Sequence, residues 1–212
     1  MRRKRFYNKT MLSKEQRFEK MKEIRDELLN FKKSPLYKYR TENKYFPVVG
    51  EGDHMARIIF IGEAPGENEA KTARPFCGRS GKLLDEMIES IGLKRSDVYI
   101  TNVVKDRPPG NRDPEHSEIE LYSPFLDRQL EIIEPKVIAT LGRFSMDYIM
   151  KHLGLVNELR SISQMHGKEF VVTASYGTVT IVPLYHPAVA LYNGSNKDML
   201  LKDFQILKKY IK

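Results

Sequence analysis

Apolar positions along this chain change period several times, and each change marks an element. Phe18, Met21, Ile24, Leu28 and Phe31 recur at helical spacing, and Ser13 and Gln16 stand where a capping box would, so a helix is expected over residues 14–32. Pro35 ends it, and an irregular stretch leads through Gly50 to the apolar run RIIFI from Arg57, a buried strand. Leu83, Leu84, Met87, Ile88 and Ile91 give residues 80–91 one apolar helix face, with Gly92 as its C-cap. VYITNVV from Val98 and KVIATLG from Lys136 read as further buried strands. Between them, residues 115–133 form a helix that Pro124 kinks or divides and Pro135 closes; residues 143–153 form the next. FVVTA and TVTIVPLYH, parted by Ser175, Tyr176 and Gly177, suggest a hairpin or two adjacent strands, and residues 197–211 a closing helix. Strands alternating with helices predict an α/β fold, a three-layer αβα domain around a mostly parallel sheet.

Composition narrows the picture. A chain of 212 residues suits one α/β domain with a full core, expected over 13–212, behind a basic and flexible N-terminal arm at 1–12 that carries Arg2, Arg3, Lys4 and Arg5. The single cysteine rules out an intramolecular disulfide and a cysteine zinc site, so packing must hold the fold. No apolar run reaches the roughly 18 residues of a membrane span, and the basic N-terminus has no apolar signal region; a soluble, cytoplasmic protein is expected. A net charge of +8 and a pI near 9.4 suit a polyanionic partner without identifying one. Lys202, Lys208, Lys209 and Lys212 add to the basic surface at the C-terminal end.

Three blocks carry the candidate chemistry. The strand from Arg57 runs into GEAPGENE and delivers Glu63 at the carboxyl edge of the sheet, where open α/β folds bind ligands; RPFCGRSG follows in the same loop. TNVVKDRPPGNRDP begins at Thr101, and YHPAVAL at Tyr185. In this order the blocks resemble the uracil-DNA glycosylases, most closely the family 4 enzymes with an iron–sulfur cluster, over about residues 28–211.

The resemblance implies a uracil-DNA glycosylase-like fold and a set of roles. Glu63 would orient water or offset positive charge on the sugar, and on its residue type alone it also reads as a loop or helix cap. Gly62, Ala64, Pro65 and Gly66 would bring the backbone close to the ligand. Phe76 would stack on the extruded base, and Asn102 would pair with uracil O4 and N3–H, an arrangement that cytosine reverses; a buried structural Asn is the alternative. Glu69 would lie against C5 and exclude the thymine methyl, or be a solvated loop carboxylate. His186 would hydrogen-bond O2 as the leaving base turns anionic. Ala188 and Leu191 would press into the DNA, with Leu191 as wedge, and Lys105, Arg107, Asn111 and Arg112 would hold phosphates.

The resemblance fails in one respect. The family's four cluster cysteines fall at Phe31, Ser34, Asp106 and Tyr122, none of which offers a thiolate, and Cys77 lies in the active-site loop. No cofactor is therefore expected; Phe31 and Tyr122 would fill the cluster's volume, and Asp106 would pair with Lys32 or Lys33. The expected activity is that of a monofunctional glycosylase that flips out uracil and hydrolyses its N-glycosidic bond, initiating base excision repair. The expected partner is uracil-containing DNA, single- or double-stranded, met by a monomeric, nucleoid-associated enzyme. The alternatives are altered base choice, such as hypoxanthine or mismatched thymine, and a catalytically silent DNA-binding homologue. A covalent uracil trap would need a basic, His-bearing insertion after TNVVK, and RPPGNRDPEH runs on without one.

Overall fold

The computed structural model describes residues 11–192 and 195–211. The basic arm at 2–5 and Lys212 lie outside the described residues. The chain opens with α1 (Lys14–Leu29), α2 (Leu36–Glu42), the short β1 (Glu51–Gly52) and the apolar β2 (Ile58–Gly62). Next come α3 (Glu67–Thr72), α4 (Arg79–Ser90), β3 (Tyr99–Asn102), α5 (His116–Ile133), β4 (Val137–Leu141), α6 (Arg143–His152) and α7 (Ile162–Met165). The hairpin β5 (Phe170–Ala174) and β6 (Gly177–Leu184), then α8 (Val189–Tyr192) and α9 (Ser195–Phe204), complete the order, with a 3₁₀ turn over Gln205–Tyr210. No helix among the described residues is long and apolar enough to cross a membrane.

The strands form one sheet in the order β1-β3-β2-β4-β6-β5. The inner four run parallel, and β1 and β5 pair antiparallel at the edges. The chain passes from β2 to β3 on one side and returns to β4 on the other, which opens a crevice at the carboxyl ends of these strands. Each face carries a core, so β2 is apolar at every position. Ile59 and Ile61 pack with Met21, Ile24, Leu126 and Ile149 of α1, α5 and α6; Ile58 and Phe60 pack with Leu84, Met87, Leu200 and Phe204 of α4 and α9.

Local chemistry accounts for several boundaries. The capping box at Ser13 is present, with Gln16 N–H donating to Ser13 Oγ at 3.2 Å and Ser13 N–H to Gln16 Oε1 at 2.9 Å. The helix ends at Leu29 rather than residue 32. Phe18 departs from the expected apolar face: it is half exposed, and the buried positions are Arg17, Met21, Ile24 and Leu28. Arg17 is tolerated there because its guanidinium donates to Ile133 O at 2.5 Å and pairs with Glu134 at 3.2 Å. Helix α2, within the stretch expected to be irregular, buries only Leu36 and Arg40, so no apolar period announces it. Pro124 does not divide α5, which runs unbroken from His116 to Ile133. Pro124 has no N–H for Glu120 O, and the neighbouring Ser123 hydroxyl donates to that carbonyl at 3.3 Å. The closing helix ends at Phe204 and tightens into the 3₁₀ turn.

Candidate active site

Parallel pairing sets Gly62, the last residue of β2, beside Asn102, the last of β3. Pairing continues past the strands, with Val103 N–H on Gly62 O at 3.0 Å and Val104 N–H on Glu63 O at 2.9 Å. Gly62 is required by its surroundings: a Cβ there would come within 2.3 Å of Asn102 Oδ1 and 2.6 Å of Phe76 Cζ. Its absence makes room for a cavity of about 180 Å³ lined by Ala64, Gly66, Glu69, Phe76, Ser80, Asn102 and His186. That is small beside the about 300–1,000 Å³ of drug-sized sites and suits a single planar base. A wider groove of about 1040 Å³ lies between α1 and the Gly50–His54 stretch, but the aromatic, amide and imidazole groups converge in the smaller one.

The wall opposite Asn102 is a fastened loop. Phe76 holds φ 47°, in the left-handed region that a bulky residue rarely adopts. Arg95 donates to Pro75 O at 2.5 Å and Phe76 O at 3.3 Å while pairing with Glu51 and Asp85. Glu69 Oε1 accepts from Cys77 N–H and Gly78 N–H, both at 3.0 Å. Glu69 thus lines the cavity and clamps the loop that carries Phe76, so it is no merely solvated carboxylate. Pro65 is buried and Gly66 caps α3.

His186 follows β6 and faces Phe76, ring centroids 5.5 Å apart. Its Nδ1 accepts from Ala188 N–H at 3.2 Å, which assigns the proton to Nε2. Burial lowers its pKa to about 4 against the opposing pull of the Glu69 carboxylate, so the ring is a neutral donor at physiological pH. Glu63 does not line the cavity. Burial first and the Asp113 carboxylate second raise its pKa to about 7, with Arg143 acting the other way. Asn102 is 2 % exposed, and its Oδ1 has no hydrogen-bond partner among the described residues. An acceptor left bare in a cavity is where a ligand donor belongs.

The proposed phosphate contacts fare unevenly. Lys105 is fully buried and cannot reach a phosphate, because its amine is spent on Thr101, Asn102 and Gln129. Arg107 is 8 % exposed and engaged by Asn111, Tyr39 and Tyr45, so it is a structural arginine. Asn111 is exposed but occupied by Arg107, and the partly exposed Arg112 is paired with Glu118 at 2.6 Å. Leu191 is 38 % exposed on α8, and Ala188 is partly buried beside it. Sequence reasoning missed Ser80 in the cavity wall, Arg95 behind the loop, and the exposed Arg143, which pairs with Asp113 at 3.0 Å near Glu63. Ser80 lies in the RPFCGRSG block without being singled out there, and no motif flags Arg95 or Arg143.

The Uracil DNA glycosylase superfamily matches residues 49–208. The chain belongs to that superfamily. It is 47% identical over 190 residues to a type-4 uracil-DNA glycosylase of Sulfurisphaera tokodaii, covering 89% of this chain and 84% of that protein. Similar enzymes named type-4 uracil-DNA glycosylase occur in Saccharolobus solfataricus, 47% identical over 88% of this chain and 84% of the relative, and in Archaeoglobus fulgidus, 43% identical over 88% and 91%.

For this superfamily member, the positions matching the family 4 cluster cysteines come together in space. Tyr122, fully buried, donates its hydroxyl to Asp106 at 2.5 Å and shares a 2.7 Å hydrogen bond with the Ser34 hydroxyl. Phe31 packs edge-on against Tyr122 and Phe125, with centroids 5.5 and 5.0 Å away. Asp106 pairs with Arg40, at 3.1 Å to each oxygen, and not with Lys32 or Lys33. Arg40 also binds the Leu28 and Leu29 carbonyls at the end of α1. Burial raises the Asp106 pKa, and Arg40 and the Tyr122 hydroxyl oppose that rise. These donors do not fit an iron–sulfur cluster, which takes thiolates; they satisfy one another instead.

Proposed function

We propose that this protein excises uracil from DNA, hydrolysing the N-glycosidic bond of a flipped-out deoxyuridine as the first step of base excision repair. The observation that carries the reading is the bare Oδ1 of Asn102 in a one-base cavity, with the neutral His186 opposite. In that cavity Asn102 Oδ1 accepts uracil N3–H while its amide donates to O4, and Phe76 covers the ring. His186 Nε2–H donates to O2, a bond that strengthens as negative charge gathers on the leaving base. Glu63, ionised, orients the attacking water or offsets charge on the sugar. Leu191 fills the space the base leaves, and Arg143 adds to the contacts with the backbone. The enzyme works without an iron–sulfur cluster, as a monomer in the cytoplasm, on single- or double-stranded DNA.

The test is a glycosylase assay on single- and double-stranded oligonucleotides carrying uracil, hypoxanthine or mispaired thymine, with Asn102→Ala as control. Uracil release that collapses in the control supports the reading. Stronger release of hypoxanthine would replace it with altered base choice, and DNA binding without release of any base would leave a silent homologue.

A further inference from the structure

Lys105 lies beneath the proposed base-reading edge. Its amine is 2.7 Å from the Asn102 main-chain carbonyl, 2.7 Å from Thr101 Oγ1 and 2.6 Å from Gln129 Oε1. All three partners are buried. None has a hydrogen to offer: a carbonyl and an amide oxygen only accept, and the Thr101 hydroxyl donates to Val49 O at 2.7 Å. Three acceptors around one amine are what an ammonium satisfies, with one hydrogen for each. Gln129 is in turn anchored by its amide to Val49 O at 2.9 Å and Tyr99 Oη at 3.2 Å. The amine therefore ties the end of β3 to α5.

That tie bears on the Asn102 side chain. Its Oδ1 bonds to no group among the described residues, so no such hydrogen bond orients the acceptor before a base arrives. Its orientation depends on packing at Gly62 and Phe76 and on the main chain that carries it. A recognition group must be held within about 0.5 Å of its productive place, and a displacement of about 1 Å can cost about a hundredfold in rate. We propose that Lys105 is a positioning residue for base recognition, fixing the Asn102 carboxamide by gripping the main-chain carbonyl of the same residue. The inference rests on the reading of Asn102 as the group that pairs with uracil.

The experiment is a double-mutant cycle on single-turnover uracil release: parent, Lys105→Met, Asn102→Ala and both together. Lys105→Met alone should slow release about 10- to 100-fold. In the Asn102→Ala background it should cost no more than about twofold, because nothing remains to be positioned. Gln129→Leu, which removes one of the three acceptors, enters the same cycle if Lys105→Met does not fold. General structural damage would multiply instead of saturating, so independent losses in the double variant would overturn the inference, as would a Lys105→Met enzyme as fast as the parent. If Asn102→Ala alone kept the parental rate, the reading of Asn102 would fall first and the inference with it.

Discussion

Asn102, the last residue of β3, and Asp106, four residues on, end in opposite kinds of surroundings. Around Asn102, a buried acceptor has no partner among the described residues and the neighbouring glycine leaves space. Around Asp106, Arg40 and Tyr122 bond its carboxylate, Ser34 bonds the Tyr122 hydroxyl, and Phe31 packs against the Tyr122 ring. A buried acceptor left unsatisfied costs about 1–3 kcal/mol, and a fold tolerates that where a ligand will supply the donor. The comparison separates two jobs: the empty valence is where the proposed recognition would occur, and the saturated network attaches α1 and α2 to the sheet.

The largest effect should come from the saturated side. Arg40→Ala removes the guanidinium bonded to Asp106 and also frees the Leu28 and Leu29 carbonyls. Urea unfolding should show a loss of about 3–5 kcal/mol, with the rate per folded molecule unchanged. Parental stability would show that the network holds nothing. On the open side, His186→Ala should slow single-turnover release about 10²–10³-fold, or about 2.7–4 kcal/mol, and leave DNA affinity nearly intact. Equal losses in affinity and rate would mean that the ring binds the ground state. Tyr122→Phe keeps the ring and removes the hydroxyl from Asp106 and Ser34, so a stability loss of about 1–3 kcal/mol is expected, without change in uracil release.

Glu63 gives the smallest and most diagnostic effect. Its folded pKa of about 7 lies above the ordinary carboxylate value, so the native state holds this proton more tightly than the unfolded chain. Stability therefore falls as pH rises from the ordinary value through about 7. Glu63→Gln should raise the melting temperature at pH 8 and leave it unchanged at pH 4. If ionised Glu63 serves the reaction, the parental rate climbs to a plateau above pH 7, and the Gln variant is slow and flat over that range. His186, with a pKa near 4, adds no step between pH 5 and 8. A parental profile with no step near 7 would remove Glu63 from the chemistry.

Much of this was written in the chain. The apolar run of β2 and the helical spacing in α4 dictate local structure wherever side chains are either wholly buried or on one face, and the glycine-rich turn after β2 places its loop at the sheet's edge. The same residue types concealed other facts. Helix α2 was invisible because one of its two buried residues is an arginine, and burial of Arg40 depends on Asp106, 66 positions away. Lys105 and Arg107 resembled phosphate ligands because a basic side chain carries no mark of where it will point. The packing of α5 against the sheet turned one inward to Gln129, and Tyr39, Tyr45 and Asn111 enclosed the other. Sequence settles periodicities and turn chemistry, which act between near neighbours. Which polar atoms end up paired and which stay open is settled by long-range contacts, since a hydrogen-bond partner and a low-dielectric surrounding exist only once distant segments have met.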